Sequence, residues 1–217
     1  MERARALAIL NGRILAAYSR RTIESLRAAL PLRLALPHLE PLLARNVEKE
    51  MRKDALVIGC AAESLARGVP PGREAVQQLL EATRPIDRAF LDGLTGFPVR
   101  IDVNYDEIAP IRAQRMERLL EAAYRILAAW RAEDRLRRAL HAVFPRPDLE
   151  RLLRETLRLY ALETRALGRS VRLPALLMPV SERAAERLFS VMNEVGARLA
   201  ADVVRTVYRQ RKSDARH

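Results

Sequence analysis

Residues 148–168 read DLERLLRETLRLYALETRALG, and this stretch decides the fold. Leu149, Leu152, Leu153, Leu157 and Tyr160 recur at intervals of three and four, the period of a helix that buries one side. Asp148 is placed to cap the first turn and Gly168 to end the last. Opposite the leucines stand Arg151, Arg154, Arg158, Arg165 and Arg169. At 100° per residue they fall within about 60° of one another, and the stripe runs about 27 Å.

The same period extends outward in both directions. Downstream, Val171 to Pro179 reads as an apolar, proline-bearing connector, and Ser181 is placed to cap a long last helix reaching about Arg211. Leu188, Met192, Val195, Leu199, Val203 and Val207 form its inward face, and residues 213–217 read as a frayed tail. Upstream, a short helix is expected over about 132–143, closed by Pro145 and Pro147. A longer one is expected from Pro110 to Trp130, with Ile111, Leu119, Leu120, Ala123, Tyr124 and Leu127 inward.

In the first half, residues 2–30 read as one helix or a bent pair, on Leu7, Leu10, Ile14, Leu15 and Tyr18. Pro31 and Pro37 mark a connector. The next helix is expected from Pro41 to Arg67, with Leu42, Leu43, Val47, Met51, Leu56 and Ile58 inward and Gly68 as its C-terminal cap. Another spans about 73–91, where Pro85 should kink or split it. Residues 93–109 are the least helical stretch, and the alternation Val99-Arg100-Ile101-Asp102-Val103 fits a short strand or extended loop. The expectation is an all-α protein, an irregular multi-helix bundle of seven or eight helices with at most one short extended segment near 99–103. It forms one domain over 1–212, or two subdomains (1–95 and 110–212) joined by the 93–109 loop.

Composition agrees. Apolar residues make up 49% and charged residues 30% of the 217, globular values, and aromatics only 5%, so Leu, Ala, Val and Ile must build the core. The net charge of +12 favours anionic partners. Only three of the 39 basic residues are lysine (Lys49, Lys53, Lys212), so an arginine-biased coding sequence also fits the charge. A single cysteine, Cys60, excludes an internal disulfide, and its apolar neighbours Val57, Ile58, Ala61 and Ala62 suit a buried, inert thiol. The chain starts on an amphipathic stretch rather than a signal core and has no run approaching a membrane span, so a cytoplasmic location is expected.

Catalytic patterns are sparse. His38, His141 and His217 join no zinc or di-iron spacing, no glycine-rich phosphate loop occurs, and no metal or cofactor is expected. Asp102-Val103-Asn104-Tyr105-Asp106 starts like a calcium loop, but Glu107 and Ala113 stand where that loop needs glycine and glutamate. A helix-turn-helix centred on Gly168 fails because Pro174 and Pro179 would break its second helix. Carboxylates such as Glu48, Glu117 and Glu121 read as surface charges.

The functional expectation is therefore a non-enzymatic protein that grips a nucleic-acid backbone without reading its sequence. Guanidinium groups match phosphates with paired hydrogen bonds, and Arg151, Arg154, Arg158, Arg165 and Arg169, helped by Arg135 and Arg138, are the candidate contacts. The first alternative is an adaptor or self-associating scaffold that docks a protein through Leu176, Leu177 and Met178. The second is an all-α enzyme or ligand-binding bundle, which would need a closed pocket with converging polar groups.

Overall fold

The structure, a computed structural model, describes residues 1–28, 36–92, 100–101, 105–173, 178–179 and 182–209. Among them are seven helices: α1 (Glu2–Ala28), α2 (Leu36–Arg67), α3 (Arg73–Asp92), α4 (Tyr105–Ala132), α5 (Leu136–Val143), α6 (Arg146–Ser170) and α7 (Glu182–Tyr208). The protein is all-α, a multi-helix bundle. Among the described residues, extended backbone is limited to β1 (Arg100–Ile101), β2 (Val171–Leu173) and β3 (Met178–Pro179), antiparallel in that order, with Arg100 opposite Arg172 and Leu173 opposite Met178. The extended segment expected near 99–103 thus finds its partner in what reads, locally, as a mere connector. Backbone groups of so short a strand need such a partner, and it lies about 70 residues away in sequence.

Several helix starts differ from expectation. α2 begins before Pro37 and α6 before Pro147, each proline in a first turn, where its missing amide hydrogen costs nothing. α4 begins five residues before Pro110, so that proline lies inside the helix. Asp148 consequently lies within α6's first turn, where it pairs with Arg151 at 3.0 Å instead of serving as cap. α3 runs unbroken through Pro85. Gly68 does end α2: at φ 71° it takes the left-handed conformation, its N–H bonds to the Leu65 carbonyl at 3.2 Å, and the Val69 N–H bonds to Ser64 at 3.1 Å.

The long helices close a ring. α1 lies on α2, α2 on α4, α4 on α6, α6 on α7, and α7 back on α1. α3 covers the outside of α2 and α4, and α5 lies chiefly on α4. With neighbouring axes about 8 to 10 Å apart, the centre of a five-membered ring is about 8 Å from each axis, against about 6 Å for four helices. A ring of five is therefore hard to fill at its middle. The core divides accordingly. One cluster joins Leu7, Val57, Ile58, Leu120, Ala123, Leu127, Leu140 and Leu149; the other joins Leu15, Tyr18, Leu43, Val47, Leu157, Tyr160 and the α7 face Leu188, Met192, Val195 and Leu199. Both draw on residues from either side of the 93–109 stretch.

Two expected core residues of α2 point outward: Met51 is 39% and Leu56 is 42% exposed. The inward stripe of α2 runs through Leu43, Asn46, Val47, Glu50, Lys53, Asp54, Val57, Ile58 and Ala61. Charged side chains occupy its middle because partners on three other helices meet them there.

Candidate functional site

The partners come from α3, α4 and α6. Glu50 receives Lys49 at 3.0 Å, Lys53 at 3.4 Å and the Arg115 guanidinium. Asp54 accepts from Arg115 at 2.8 Å and from the Asn11 amide at 2.7 Å. Asp87 of α3 meets Lys53 at 3.3 Å and Arg112 at 3.0 Å. Glu163 of α6 accepts from Arg112 Nε at 2.7 Å and meets Lys49 at 3.4 Å and Lys53 at 3.8 Å. Lys49, Lys53, Arg112 and Arg115 thus balance Glu50, Asp54, Asp87 and Glu163 in formal charge. All are buried except Arg112 and Asp87, which reach the edge.

Hydrogen bonds extend this network. Asn46 donates to the Tyr160 hydroxyl at 3.1 Å and to Thr164 at 3.2 Å, and Tyr160 stands edge-on to Tyr18 at 5.6 Å. Burial raises each carboxyl, and the neighbouring cations outweigh it at Glu163 and Glu50 but not at Asp54. Burial alone would raise Glu163, but Lys53, Lys49, Arg112 and Arg115 outweigh it and hold the carboxyl well below its usual range. Glu50 is held down the same way, against both burial and Glu163. At Asp54 burial prevails over Arg115 and the carboxyl is pushed up.

Asp54 and Arg115 are also where the network meets the middle of the ring. A cavity of about 130 Å³ lies there, lined by residues of α1, α2, α4, α5, α6 and α7. Its wall is almost wholly apolar: Leu7, Leu15, Ile58, Ala123, Ile126, Leu140, Leu149, Leu153, Leu157 and Val203 among others. The polar exceptions are Asn11, Asp54, Arg115 and Thr156. The Thr156 hydroxyl is engaged with the Leu152 carbonyl at 2.8 Å. Arg115 is 3% exposed, and its Nε is buried without a hydrogen-bond partner.

The arginine stripe is placed differently. Arg151, Arg154 and Arg158 are exposed on α6. Arg151 pairs with Asp148 and Arg154 with Glu150, while Arg158 has no ion-pair partner among the described residues. Arg165 leaves the stripe: at 23% exposure it reaches across to Glu186 and lies over the Phe189 ring of α7 at 5.3 Å. The Arg169 side chain lies outside the described residues. On α5, Arg138 pairs with Asp134 at 2.9 Å, and Arg135 is exposed at the helix start. Leu176 and Leu177 lie outside the described residues, and Met178 falls on β3 with its side chain outside them. So does most of the 102–106 segment.

Cys60 is half-buried rather than buried, and burial, with Glu63 adding to it, pushes its thiol up, away from the reactive thiolate. Among the described residues, no group of three or more His, Cys, Asp and Glu is placed to hold a metal ion, and no helix is long and apolar enough to cross a membrane.

Neither the network nor the cavity is foreseen by reading each helix alone. One compositional trace existed: two of the three lysines, Lys49 and Lys53, lie one turn apart in the network. Each ammonium, a compact point charge, stands within 4.0 Å of three carboxylates, Glu50, Asp87 and Glu163. Comparison with protein-family models, curated proteins and solved structures returned no match.

Proposed function

We propose that this protein is a receptor bundle that holds a small apolar molecule in the cavity at the centre of its helical ring. The observation that carries this reading is the cavity itself: about 130 Å³, walled by leucine, isoleucine, valine and alanine, and bounded at Asp54 and Arg115 by charged groups. An apolar cavity of about 150 Å³ engineered into another protein stays dry and binds benzene, so the size is sufficient for a ring or short chain. Binding sites of this kind are apolar with few polar groups placed to orient the ligand.

The test is a thermal melt in rising toluene concentration. A ligand bound only by the folded state adds about 1.4 kcal/mol at ten times its Kd, which corresponds to about 3 to 6 °C for a chain of this length. Ala123→Leu places three more carbons in the cavity, and this variant should melt at or above the wild type yet show no toluene-dependent rise. A wild-type melt indifferent to toluene, or a rise that persists in Ala123→Leu, rejects the reading.

A second reading is favoured by a separate observation: Arg151, Arg154 and Arg158 stand exposed on one helix face of a chain with net charge +12. In it, α6 lies along a nucleic-acid backbone. Titration of duplex DNA at several salt concentrations should then give binding that weakens steeply with salt. An Arg154→Glu, Arg158→Glu double variant should flatten the salt slope by about two units and leave sequence preference unchanged. No wild-type binding at low salt ends this reading.

A further inference from the structure

A groove of about 410 Å³ runs between α3 and α4 on the outside of the ring and shares no lining residue with the central cavity. Arg84 and Arg88, one turn apart on α3, and Arg112 of α4 line it together with the apolar side chains of Leu80 and Ala109. Arg84 and Arg88 are exposed, and neither has an ion-pair or hydrogen-bond partner among the described residues. Asp87, the carboxylate of the lining among those residues, is already met by Lys53 at 3.3 Å and by Arg112 at 3.0 Å. Arg112 is held in place: its Nε bonds Glu163 at 2.7 Å and its Nη1 bonds Asp87 at 3.0 Å. Its other terminal nitrogen, Nη2, makes no bond among the described residues and is open to solvent. Glu163 and Asp87 answer the charge of Arg112, whereas nothing described answers those of Arg84 and Arg88. The groove thus combines two unanswered positive charges, one fixed donor nitrogen and an apolar surface.

We propose that this groove binds a small phosphate monoester whose organic part is apolar and about one ring in size. The two unanswered guanidinium charges match a phosphate charge close to −2, and its three terminal oxygens suffice for Arg84, Arg88 and Nη2 of Arg112 together. A carboxylate fits less well, because it brings one charge and two oxygens, which a single guanidinium fork already satisfies. Leu80 and Ala109 cover the uncharged part of the ligand. The volume of about 410 Å³ falls within the range of small-molecule sites, roughly 300 to 1,000 Å³.

The experiment is a calorimetric titration at about pH 8, above the second phosphate pKa of about 6. Three probes separate the contributions. Phenyl phosphate has two charges and a ring, benzenesulfonate keeps the ring and three oxygens but has one charge, and inorganic phosphate keeps the charge and lacks the ring. Phenyl phosphate should bind at least about tenfold more tightly than either. Covering about 55 Å² of apolar surface is enough for the factor over inorganic phosphate, and losing one charge beside two guanidiniums is enough for the factor over benzenesulfonate. An Arg84→Gln, Arg88→Gln double variant should weaken phenyl phosphate by at least about tenfold. An Arg154→Gln, Arg158→Gln double variant removes the same two charges from α6 and should weaken it by less than about twofold, since distant exposed charges are screened. All four side chains are exposed, so both variants should fold, and their melting temperatures check this. A smaller margin over benzenesulfonate overturns the match of two charges, and a smaller margin over inorganic phosphate overturns the apolar body. Equal losses in the two double variants would assign the binding to net charge and overturn the site. No binding of phenyl phosphate to the wild type at millimolar concentration overturns it as well, as does an Arg84→Gln, Arg88→Gln variant that fails to fold, because those side chains would then be engaged in the structure and not free for a ligand.

Discussion

Replacing Glu163 by Gln is expected to destabilise the protein by about 3 to 5 kcal/mol at neutral pH, the range found when one member of a buried ion pair is removed. The glutamine would keep the size and one acceptor oxygen but not the charge. Lys49, Lys53, Arg112 and Arg115 would then face only Glu50, Asp54 and Asp87, leaving a net buried cation. A domain has only about 5 to 15 kcal/mol to lose. Urea denaturation measures the loss, and the melting temperature should fall by roughly 6 to 20 °C. An exposed pair provides the contrast: Arg52→Ala, which breaks the contact with Glu48 on the surface of α2, should change stability by less than about 1 kcal/mol.

The pH dependence separates charge from packing. The Glu163 carboxyl is held well below its ordinary value of 4.5 in the folded state, by the four cations against burial. Its stabilisation is therefore fully present above pH 4.5 and is lost as pH falls through the depressed folded value. The gap between wild type and Glu163→Gln should be flat above about pH 5.5 and should narrow in acid. Asp54 has the opposite sign: its raised pKa favours the folded state as it protonates, and Asp54 is intact in both proteins, so it does not produce the narrowing. A loss below about 1 kcal/mol at neutral pH, or a gap that stays constant in acid, would mean that Glu163 contributes as a spacer and not as a charge.

The helices were legible because each carries its own period. The α7 face is the clearest instance: Leu188, Met192, Val195 and Leu199, one turn after another, are buried together, as their spacing alone requires. Gly68 was legible for a similarly local reason. The charges of α2 were not. A helical wheel shows Glu50 and Asp54 on the same side as Val47 and Ile58, but it cannot show that Arg115 and Glu163, from other helices, meet them there. Burial of a charge is decided by its partners, which are a tertiary fact. The cavity is further still from sequence, since it follows from five helices closing a ring and from no single residue. The arginine stripe shows the reverse error of scale. Its five positions share a helical face, yet long side chains follow local carboxylates, and Arg165 follows Glu186 on the next helix.

Leu199→Ala is expected to cost about 2 to 5 kcal/mol by urea denaturation, the usual loss for a buried leucine. Leu199 is 4% exposed and sits in the cluster formed by α1, α2, α6 and α7. The spread in such losses reflects how far the surroundings can collapse into the space created. Here they have little freedom. α7 approaches its neighbours at Gly196, where an added Cβ would lie 3.3 Å from Leu157 Cβ and 3.4 Å from a Tyr18 ring carbon. Tyr18 is held in turn by its hydroxyl's bond to the Met192 carbonyl at 3.0 Å. The helix therefore cannot slide inward to fill the gap, and the loss belongs in the upper part of the range. Leu153 offers the comparison within one protein. It lines the cavity and is only partly buried, so its side chain has fewer atoms to lose contact with, and Leu153→Ala should cost distinctly less than Leu199→Ala. A Leu199→Ala loss under about 0.5 kcal/mol would contradict the packing of α7 against α6 and α1. Equal losses at the two positions would mean that the centre of the ring is as well filled as its wall, and the receptor reading would lose its cavity.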